Sequence, residues 1–187
     1  MEYDRYSTIR RLPTHGLTAA QTEAIRKLLW AAFAEDVHGG FTEDDWQHSI
    51  GGMHFFAEAG GGIVSHASVV ERDVRVGGRP LRTGYVEAVA TAPTHRRRGF
   101  ATAVMRSVNE YVARNFELGA LGTGSQPFYE RLGWRIWRGP SFVRTASGPT
   151  PTPEEDGYIM VLETPTSPDD LDWSAEISCE WRPGDVW

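Results

Sequence analysis

Apolar residues recur at helical spacing in two long stretches of the chain and at strand spacing in much of the rest. Thr18 and Gln21 form a capping-box pattern, and the apolar stripe that follows predicts a helix to about Ala34. A second stripe predicts a long helix from Phe100 to about Phe116. Short helices are predicted after Thr42 and over 126–132. Strands are predicted over 6–12, 53–59, 63–70, 74–76, 81–91, within 119–124, and over 134–137, 158–162 and 176–181. This order predicts a mixed α and β fold.

Composition bounds the class of protein. The chain has 187 residues, of which 40% are hydrophobic, so we expect one globular domain over 1–187. Its only cysteine, Cys179, cannot form an intrachain disulfide, and no Cys or His cluster has zinc spacing, so no metal is predicted. No apolar stretch approaches the ~18 residues of a membrane span, and residues 1–20 carry no signal-peptide core. We therefore expect a cytoplasmic protein that binds no membrane.

Charge is segregated along the chain. Residues 150–187 contain ten acidic residues and one basic residue, whereas 72–98 contain seven arginines and two acidic residues. This pattern of a basic middle and an acidic segment, 150–187, favours two unlike ligands, one anionic and one cationic. The alternative is an arginine-rich surface beside a solvated acidic tail.

The basic loop before the second long helix has the features of an anion site. An apolar strand ends at Thr91, and residues 96–101 read Arg-Arg-Arg-Gly-Phe-Ala at the predicted helix start. Unpaired N–H groups and the helix dipole favour a pyrophosphate at such a position, and a glycine lets the backbone approach it closely. A nucleic-acid contact or a solvated turn is the alternative. The patterns of a P-loop and of a dinucleotide fold are absent.

Two motifs resemble the GNAT superfamily of acetyl-CoA-dependent N-acetyltransferases. Arg96, Gly99 and Ala101 fit its pyrophosphate loop, Gln/Arg-x-x-Gly-x-Gly/Ala. The run Phe-Tyr-Glu-Arg-Leu-Gly-Trp at 128–134 is similar to its aromatic pair followed by a glycine-aromatic strand start. The resemblance implies an α/β (α+β) GNAT fold, in which about four helices flank a twisted mixed sheet whose central strands splay to admit pantetheine.

Further segments look like aminoglycoside 2′-N-acetyltransferases, and they span nearly the whole chain. They are residues 51–54, 84–87, 118–121, 133–134, 139–140 and 179–187. This resemblance implies direct acetyl transfer from acetyl-CoA to an aminoglycoside amine within a ternary complex, with antibiotic resistance as the outcome. No nucleic acid is expected as a partner, and exposed tryptophans are compatible with a homodimer.

The implied catalytic residues are Glu87, Tyr129 and Trp187. Glu87 interrupts an apolar strand, which favours a functional role as acceptor of the amine proton; the alternative is an ion pair with an arginine such as Arg82. Tyr129 is the candidate acid for the leaving thiolate, or else a packed aromatic. A terminal carboxylate on Trp187 could share the role of base, provided that the protein ends there.

The resemblance also implies two sets of binding residues. The donor set comprises the backbone of Val89, which would polarise the thioester carbonyl, with Thr91, Arg96, Arg97, Arg98, Gly99, Phe100 and Ala101. The acceptor set comprises Asp36, Glu87, Glu155, Asp156, Asp185 and Trp187, although Glu35 could replace Asp36, and the resemblance implies that the acidic segment completes this site. For each exposed acid taken alone the sequence favours a solvated surface role; Glu87 differs because it interrupts an apolar strand.

Three other functions keep parts of this interpretation. A GNAT enzyme could act on another aminosugar such as kasugamycin, or on a polyamine. A non-catalytic protein could bind cationic antibiotics or acyl-CoA.

Of the six histidines, His54 and His66 lie in predicted strands, where a buried neutral imidazole is expected. Cys179 is not expected to act as a nucleophile.

Overall fold

The computed structural model describes residues 9–34 and 40–187, and it divides the chain into two compact units. The first unit comprises residues up to Val70 together with Glu87–Val108, and the second comprises Glu71–Val86 and Asn109–Trp187. Two strands and one helix contribute residues to both units. The prediction of a single domain over 1–187 stays a prediction.

Three helices belong wholly or partly to the first unit. Helix α1 spans Ala19–Ala32, and the predicted capping box of Thr18 and Gln21 is present. Helix α2 spans Glu43–Ser49 and carries a second capping box, between Thr42 and Asp45. Each box satisfies N–H groups that the first turn of a helix leaves unpaired. Helix α3 spans Phe100–Asn115, close to its predicted limits.

Four strands build the sheet of the first unit. Strand β1 (Arg10–Pro13) pairs antiparallel with β2 (Met53–Ala59), which pairs antiparallel with β3 (Gly62–Val76). Strand β4 (Arg79–Thr91) is the neighbour of β3. A buried cluster joins these strands to helices α1 and α2; its members are Ile25, Leu29, Trp46, Phe56 and Ala90.

The second unit arranges short strands around the remaining parts of β3 and β4. They are β5 (Leu118–Gly122), β6 (Arg135–Ile136), β7 (Ser141–Thr145), β8 (Gly148–Pro151), β9 (Ile159–Glu163) and β10 (Ile177–Glu180). The spatial order is β6, β9, β5, β4, β3, β10, β7, β8. Strand β4 pairs in parallel with β5 from Thr83 to Tyr85, and β10 pairs antiparallel with the end of β3. Helix α4 (Gln126–Glu130) follows β5.

The predicted mixed architecture is confirmed, with four α-helices among the described residues. Two details of the strand prediction are wrong. The separate strands over 63–70 and 74–76 form one continuous strand, β3, because the arginine that interrupts the apolar pattern, Arg72, is itself buried and paired. No strand is predicted over 141–145 or 148–151, yet these segments form strands β7 and β8, which pair with each other. The first predicted strand, 6–12, begins outside the described residues.

Candidate active site

Strand β4 changes character at Glu87. Residues 83–86 are buried without interruption, whereas Glu87, Ala88 and Val89 are all partly exposed. Ala88 has a φ of +52°, a left-handed conformation that alanine rarely adopts. A left-handed residue breaks the alternation of side chains along a strand and turns its peptide groups away from the regular ladder. The predicted residues Glu87 and Val89 therefore flank a local irregularity of the strand.

Polar side chains of β3 bind the carbonyl groups of this irregular segment. The Ser68 hydroxyl donates to the carbonyl of Glu87 at 3.4 Å, and His66 Nδ1 lies 2.9 Å from the carbonyl of Ala88. The Ser65 hydroxyl lies 3.1 Å from the carbonyl of Ala90 and 2.9 Å from the hydroxyl of Thr91. Because these side chains of β3 are buried, the contacts fix the irregular backbone from within the unit.

The loop after β4 presents the start of helix α3. Arg97 and Gly99 both have left-handed backbones, with φ values of +61° and +86°, and the Gly99 carbonyl accepts a hydrogen bond from the N–H of Ala103. Gly99 thus stands at the helix N-terminus, and the N–H groups of the first turn, which includes Phe100 and Ala101, lack partners within the helix. Together with the exposed side chains of Arg97 and Arg98, this arrangement can hold an anion.

Arg96 has a different role from the two arginines that follow it. Its guanidinium donates to the carbonyl of Ala32 at 3.0 Å and lies 3.4 Å from the carbonyl of Thr91. Ala32 is the last residue of α1, where a helix leaves carbonyl groups unpaired and favours a cation. Arg96 therefore ties the basic loop to the end of α1 and of β4.

Tyr129 lies in the second unit and is almost fully buried. Its ring contacts Phe128 and Trp134 edge to face, with centroids 4.9 and 6.3 Å apart. Burial raises the pKa of its phenol to about 12, although a side-chain hydrogen bond with Thr123 acts in the opposite direction. The phenol is therefore protonated throughout the physiological range and is available as a hydrogen-bond donor. Both interpretations made from the sequence, packed aromatic and proton donor, fit this environment.

Two of the predicted acceptor acids lie close together in the second unit. Burial raises the pKa of Glu155, and the charges of Asp185 and Glu154 raise it further. Asp185 Oδ1 accepts a hydrogen bond from the N–H of Trp187 at 3.3 Å. A carboxylate whose pKa is raised by burial and by neighbouring negative charge is stabilised when a cation arrives. Glu155, with Asp185 beside it, is therefore suited to bind a cationic ligand.

Asp156 ends a chain of buried hydrogen bonds. Its Oδ1 accepts from the N–H and the hydroxyl of Ser141, at 2.9 and 2.8 Å. The Thr152 hydroxyl donates to Ser141 Oγ at 2.8 Å, and the indole N–H of Trp187 donates to Thr152 Oγ1 at 3.1 Å. The chain therefore couples Asp156 to the buried side chain of Trp187 and holds the turn that carries Glu155.

Arg72 fixes the segment that carries Asp185 and Trp187. Its buried guanidinium donates to the carbonyls of Val186 and Glu180 at 2.8 and 3.0 Å, and to Glu180 Oε1 at 3.1 Å. The Cys179 thiol donates to the same Val186 carbonyl at 3.2 Å, and burial raises its pKa to about 11. Since a thiolate is the nucleophilic form, Cys179 is not expected to react near neutral pH.

Replacing Arg72 by Met is expected to lower the free energy of unfolding by about 2 kcal/mol, because buried carbonyl groups lose a charged donor. Urea unfolding followed by tryptophan fluorescence measures this change. Arg75→Met is the matched control, since Arg75 lies on the same strand and pairs with Asp73 at an exposed position. Equal losses in both variants would contradict the role given to the buried guanidinium.

Several predictions concern residues or sites other than those above, and some of these residues lie outside the part of the chain that the structure describes. Glu35 and Asp36 lie outside the described residues. Arg82, named as an alternative partner of Glu87, lies 3.4 Å from Glu71. Over residues 9–34 and 40–187, no three His, Cys, Asp or Glu side chains cluster as metal ligands. In the same residues, no helix has the length and apolar character needed to cross a membrane.

The predicted residues thus fall into two groups. Glu87, Val89, Thr91 and residues 96–101 lie in the first unit, where the irregular strand and the start of α3 present backbone groups and arginines. Tyr129, Glu155, Asp156, Asp185 and Trp187 lie in the second unit. Sequence reasoning did not find Arg72, Ser65, Ser68 or the partners of His66. Only the polar interruption of apolar strands marks them in the sequence.

Comparison with known proteins identifies the family of the chain. Residues 14–137 match the family described as Acetyltransferase (GNAT) domain. The chain is 39% identical over 183 residues to an aminoglycoside 2′-N-acetyltransferase of Mycolicibacterium fortuitum, covering 96% of this chain and 92% of that protein.

Solved structures share the fold at lower identity. A GNAT N-acetyltransferase of Escherichia coli in complex with CoA has a TM-score of 0.62 at 15% identity, covering 92% of this chain and 88% of that one. A GNAT acetyltransferase of Brucella melitensis in complex with acetyl-CoA has a TM-score of 0.60 at 14% identity, covering 89% and 95%. A GCN5-related N-acetyltransferase of Kribbella flavida has a TM-score of 0.56 at 21% identity. This match covers 71% of the present chain but spans only 34% of that protein.

Proposed function

The chain belongs to the GNAT acetyltransferase family, and from this we propose that it transfers an acetyl group from acetyl-CoA to the 2′-amine of an aminoglycoside antibiotic. The observation that carries the proposal is the 39% identity to an aminoglycoside 2′-N-acetyltransferase over 96% of the chain. The pair of half-buried and exposed acids at Glu155 and Asp185 supports it, because aminoglycosides are polycations. Inactivation of the drug would make resistance the biological outcome.

The donor side of the proposed site rests on the start of helix α3. The N–H groups of the first turn, with Arg97 and Arg98, suit the pyrophosphate of acetyl-CoA, and Gly99 allows the close approach. Arg96 orders this loop through its bonds to the carbonyls of Ala32 and Thr91. When bound, acetyl-CoA supplies the acetyl group as a thioester.

The proposed chemistry divides among residues already described. Glu87 accepts the proton that the amine loses as its nitrogen forms a bond to the acetyl carbon, directly or through water. The N–H of Val89 donates to the carbonyl oxygen on which negative charge develops. The carbon–sulfur bond breaks, and the thiolate takes a proton from solvent water. Because the pKa of Tyr129 is about 12, its phenol acts as a hydrogen-bond donor to the thiolate in preference to losing its proton outright.

The test is release of CoA thiol from acetyl-CoA with a panel of acceptors. Its central pair consists of two aminoglycosides that differ only in carrying an amine or a hydroxyl at the 2′ position. We expect release with the amine alone, and acetylation at that nitrogen by mass spectrometry. Kasugamycin and a polyamine complete the panel. If only kasugamycin or the polyamine is acetylated, that compound and not an aminoglycoside with a 2′-amine is the acceptor. Acetyl-CoA binding without any turnover would favour a non-catalytic binding protein.

Removing both acceptor acids should weaken binding of the cation more than it slows the chemistry. The double variant Glu155→Gln, Asp185→Asn is expected to raise KM for the aminoglycoside about tenfold, since two partly screened charge contacts contribute about 1.4 kcal/mol together. The effect on kcat should be smaller. Initial rates over a range of acceptor concentrations at saturating acetyl-CoA separate the two parameters.

The matched control for this prediction removes the same charge elsewhere in the acidic segment. Asp169 and Asp170 are exposed neighbours, so Asp169→Asn, Asp170→Asn lowers the net negative charge equally. KM should remain within about twofold of the wild-type value. If both double variants raise KM alike, the acids act through the overall field of the protein and not through contact.

A further inference from the structure

Three hydrogen bonds of ordinary length link Thr14, two buried histidines and Ala88, the left-handed residue of β4. The Thr14 hydroxyl lies 2.9 Å from His54 Nε2, and His54 Nδ1 lies 2.9 Å from His66 Nε2. His66 Nδ1 lies 2.9 Å from the carbonyl of Ala88. Both imidazoles have no exposed surface, and all four residues belong to the first unit.

The Ala88 carbonyl at one end of the chain determines which atom donates and which accepts in each of these hydrogen bonds. A carbonyl can only accept, so His66 carries its hydrogen on Nδ1 and its Nε2 is an acceptor. His54 must then carry a hydrogen on Nδ1, which leaves its Nε2 to accept from the Thr14 hydroxyl. One hydrogen on each ring satisfies the whole chain of hydrogen bonds from Thr14 to the Ala88 carbonyl, which we call the relay. A second hydrogen on His66 would oppose the Nδ1 hydrogen of His54, and burial lowers the pKa of His54 to about 4 and that of His66 to about 3.

The relay ends at a residue with an unfavourable backbone conformation. Ala88 holds a φ of +52°, which an alanine keeps only when its surroundings fix it. The bond from His66 engages the carbonyl of Ala88, and this carbonyl belongs to the peptide that supplies the N–H of Val89. A carbonyl oxygen does not take up a proton near neutral pH, so the relay cannot conduct protons away from the site. Its chemical use is to orient a peptide group.

We propose that His54 and His66 form a positioning pair that holds the Ala88–Val89 peptide, and with it the N–H of Val89 and the side chain of Glu87, in the geometry needed for acetyl transfer. The proposal rests on the roles given above to Glu87 and Val89. Neither histidine touches the reacting atoms in it. They act through the main chain of β4, and the acceptor Nε2 of His66 fixes the tautomer of His54.

Two substitutions of His66 separate this role from a general packing role. Asn places an amide nitrogen near the position of Nδ1, so His66→Asn can still donate to the Ala88 carbonyl. Leu has a similar volume but no donor, so His66→Leu loses that bond. Both variants break the bond to His54 and should be destabilised to a similar degree. We expect the dissociation constant for acetyl-CoA, measured by calorimetry without acceptor, to rise about tenfold for Leu and less than threefold for Asn.

The kinetic readout should follow the same order. With the acceptor identified by the panel, kcat is expected to fall at least tenfold for His66→Leu and to be largely retained for His66→Asn. His15→Asn removes an exposed imidazole from the same unit and should change neither quantity. Equal losses of affinity in the Asn and Leu variants would overturn the positioning role, since a packing defect alone does not distinguish the two.

Nuclear magnetic resonance of the wild-type chain tests the relay even if a variant fails to fold. Long-range proton–nitrogen spectra should show His54 and His66 as neutral rings with the hydrogen on Nδ1, and both should stay neutral at pH 5. A hydrogen on Nε2 of His66, or an imidazolium signal at pH 6, would overturn the proposal. These spectra and the acetyl-CoA titration need no acceptor, so failure of the aminoglycoside panel alone leaves the relay standing. A wild-type chain that binds no acetyl-CoA would overturn both proposals.

Discussion

Glu87→Gln is expected to lower kcat for acetyl transfer about 100-fold or more while the protein stays folded. Glutamine keeps the shape of the side chain but cannot accept the proton that the amine loses, so the step that forms the carbon–nitrogen bond loses its base. The side chain lies at the irregular part of β4, where it is partly exposed and therefore accessible to a ligand. Initial rates of CoA release at saturating acetyl-CoA and acceptor measure kcat directly.

The matched control is Glu58→Gln, which removes a carboxylate from an exposed strand position in the same unit. Its kcat should equal that of the wild type. A non-catalytic antibiotic-binding protein makes the opposite prediction for Glu87→Gln, because ligand affinity and the biological effect would survive it. A Glu87→Gln enzyme that retains kcat but shows a raised KM would place Glu87 in acceptor binding and not in proton transfer.

Local rules predicted the helices well. The capping boxes after Thr18 and Thr42 are present, and the apolar stripe of α3 is buried at Val104, Met105 and Val108. These features depend on residues three or four positions apart, so the sequence contains both partners of each interaction. Gly77 and Gly78 separate the predicted strands 74–76 and 81–91, and both residues have a positive φ.

Long-range partners could not be predicted in the same way. Arg72 interrupts an apolar pattern and suggested a break in the strand, but its bonds reach residues more than 100 positions away. The segment 148–151 has the composition of a linker and becomes a strand because β7 supplies the other half of its ladder. The composition of a segment does not reveal the distant partners whose hydrogen bonds stabilise it in the fold.

The candidate site shows the same division. Gly99 and the arginines beside it form a contiguous motif, so their place at the start of α3 followed from the sequence. The bond from Arg96 to the carbonyl of Ala32 spans 64 positions and has no local signal. His54 and His66 were correctly expected to be buried and neutral, yet their contact with each other and with Ala88 emerges only from the pairing of β2 with β3 and the proximity of β4.

Mild acid should destabilise the fold through the two buried histidines. Both have a pKa far below the value of 6.5 that an exposed imidazole has, about 4 for His54 and about 3 for His66. Burial is the main cause in each, and the charge of His54 adds to the effect on His66. Below pH 6.5 the unfolded chain therefore binds two protons that the folded chain does not. Their contribution to stability is complete above pH 6.5 and is lost as the pH falls toward 4 and then 3.

The expected loss is about 3 kcal/mol between pH 6.5 and pH 5, about half from each ring. Urea unfolding at several pH values measures this loss, and variants of the histidines identify their share. His66→Asn should remove about half of the pH dependence, because one of the two titrating rings is gone. The control variant is His15→Asn, which replaces an exposed imidazole of the same unit. A free energy of unfolding that is constant from pH 6.5 to pH 5 would mean that both rings are already charged in the folded protein, which the single arrangement of hydrogens from Thr14 to Ala88 does not permit.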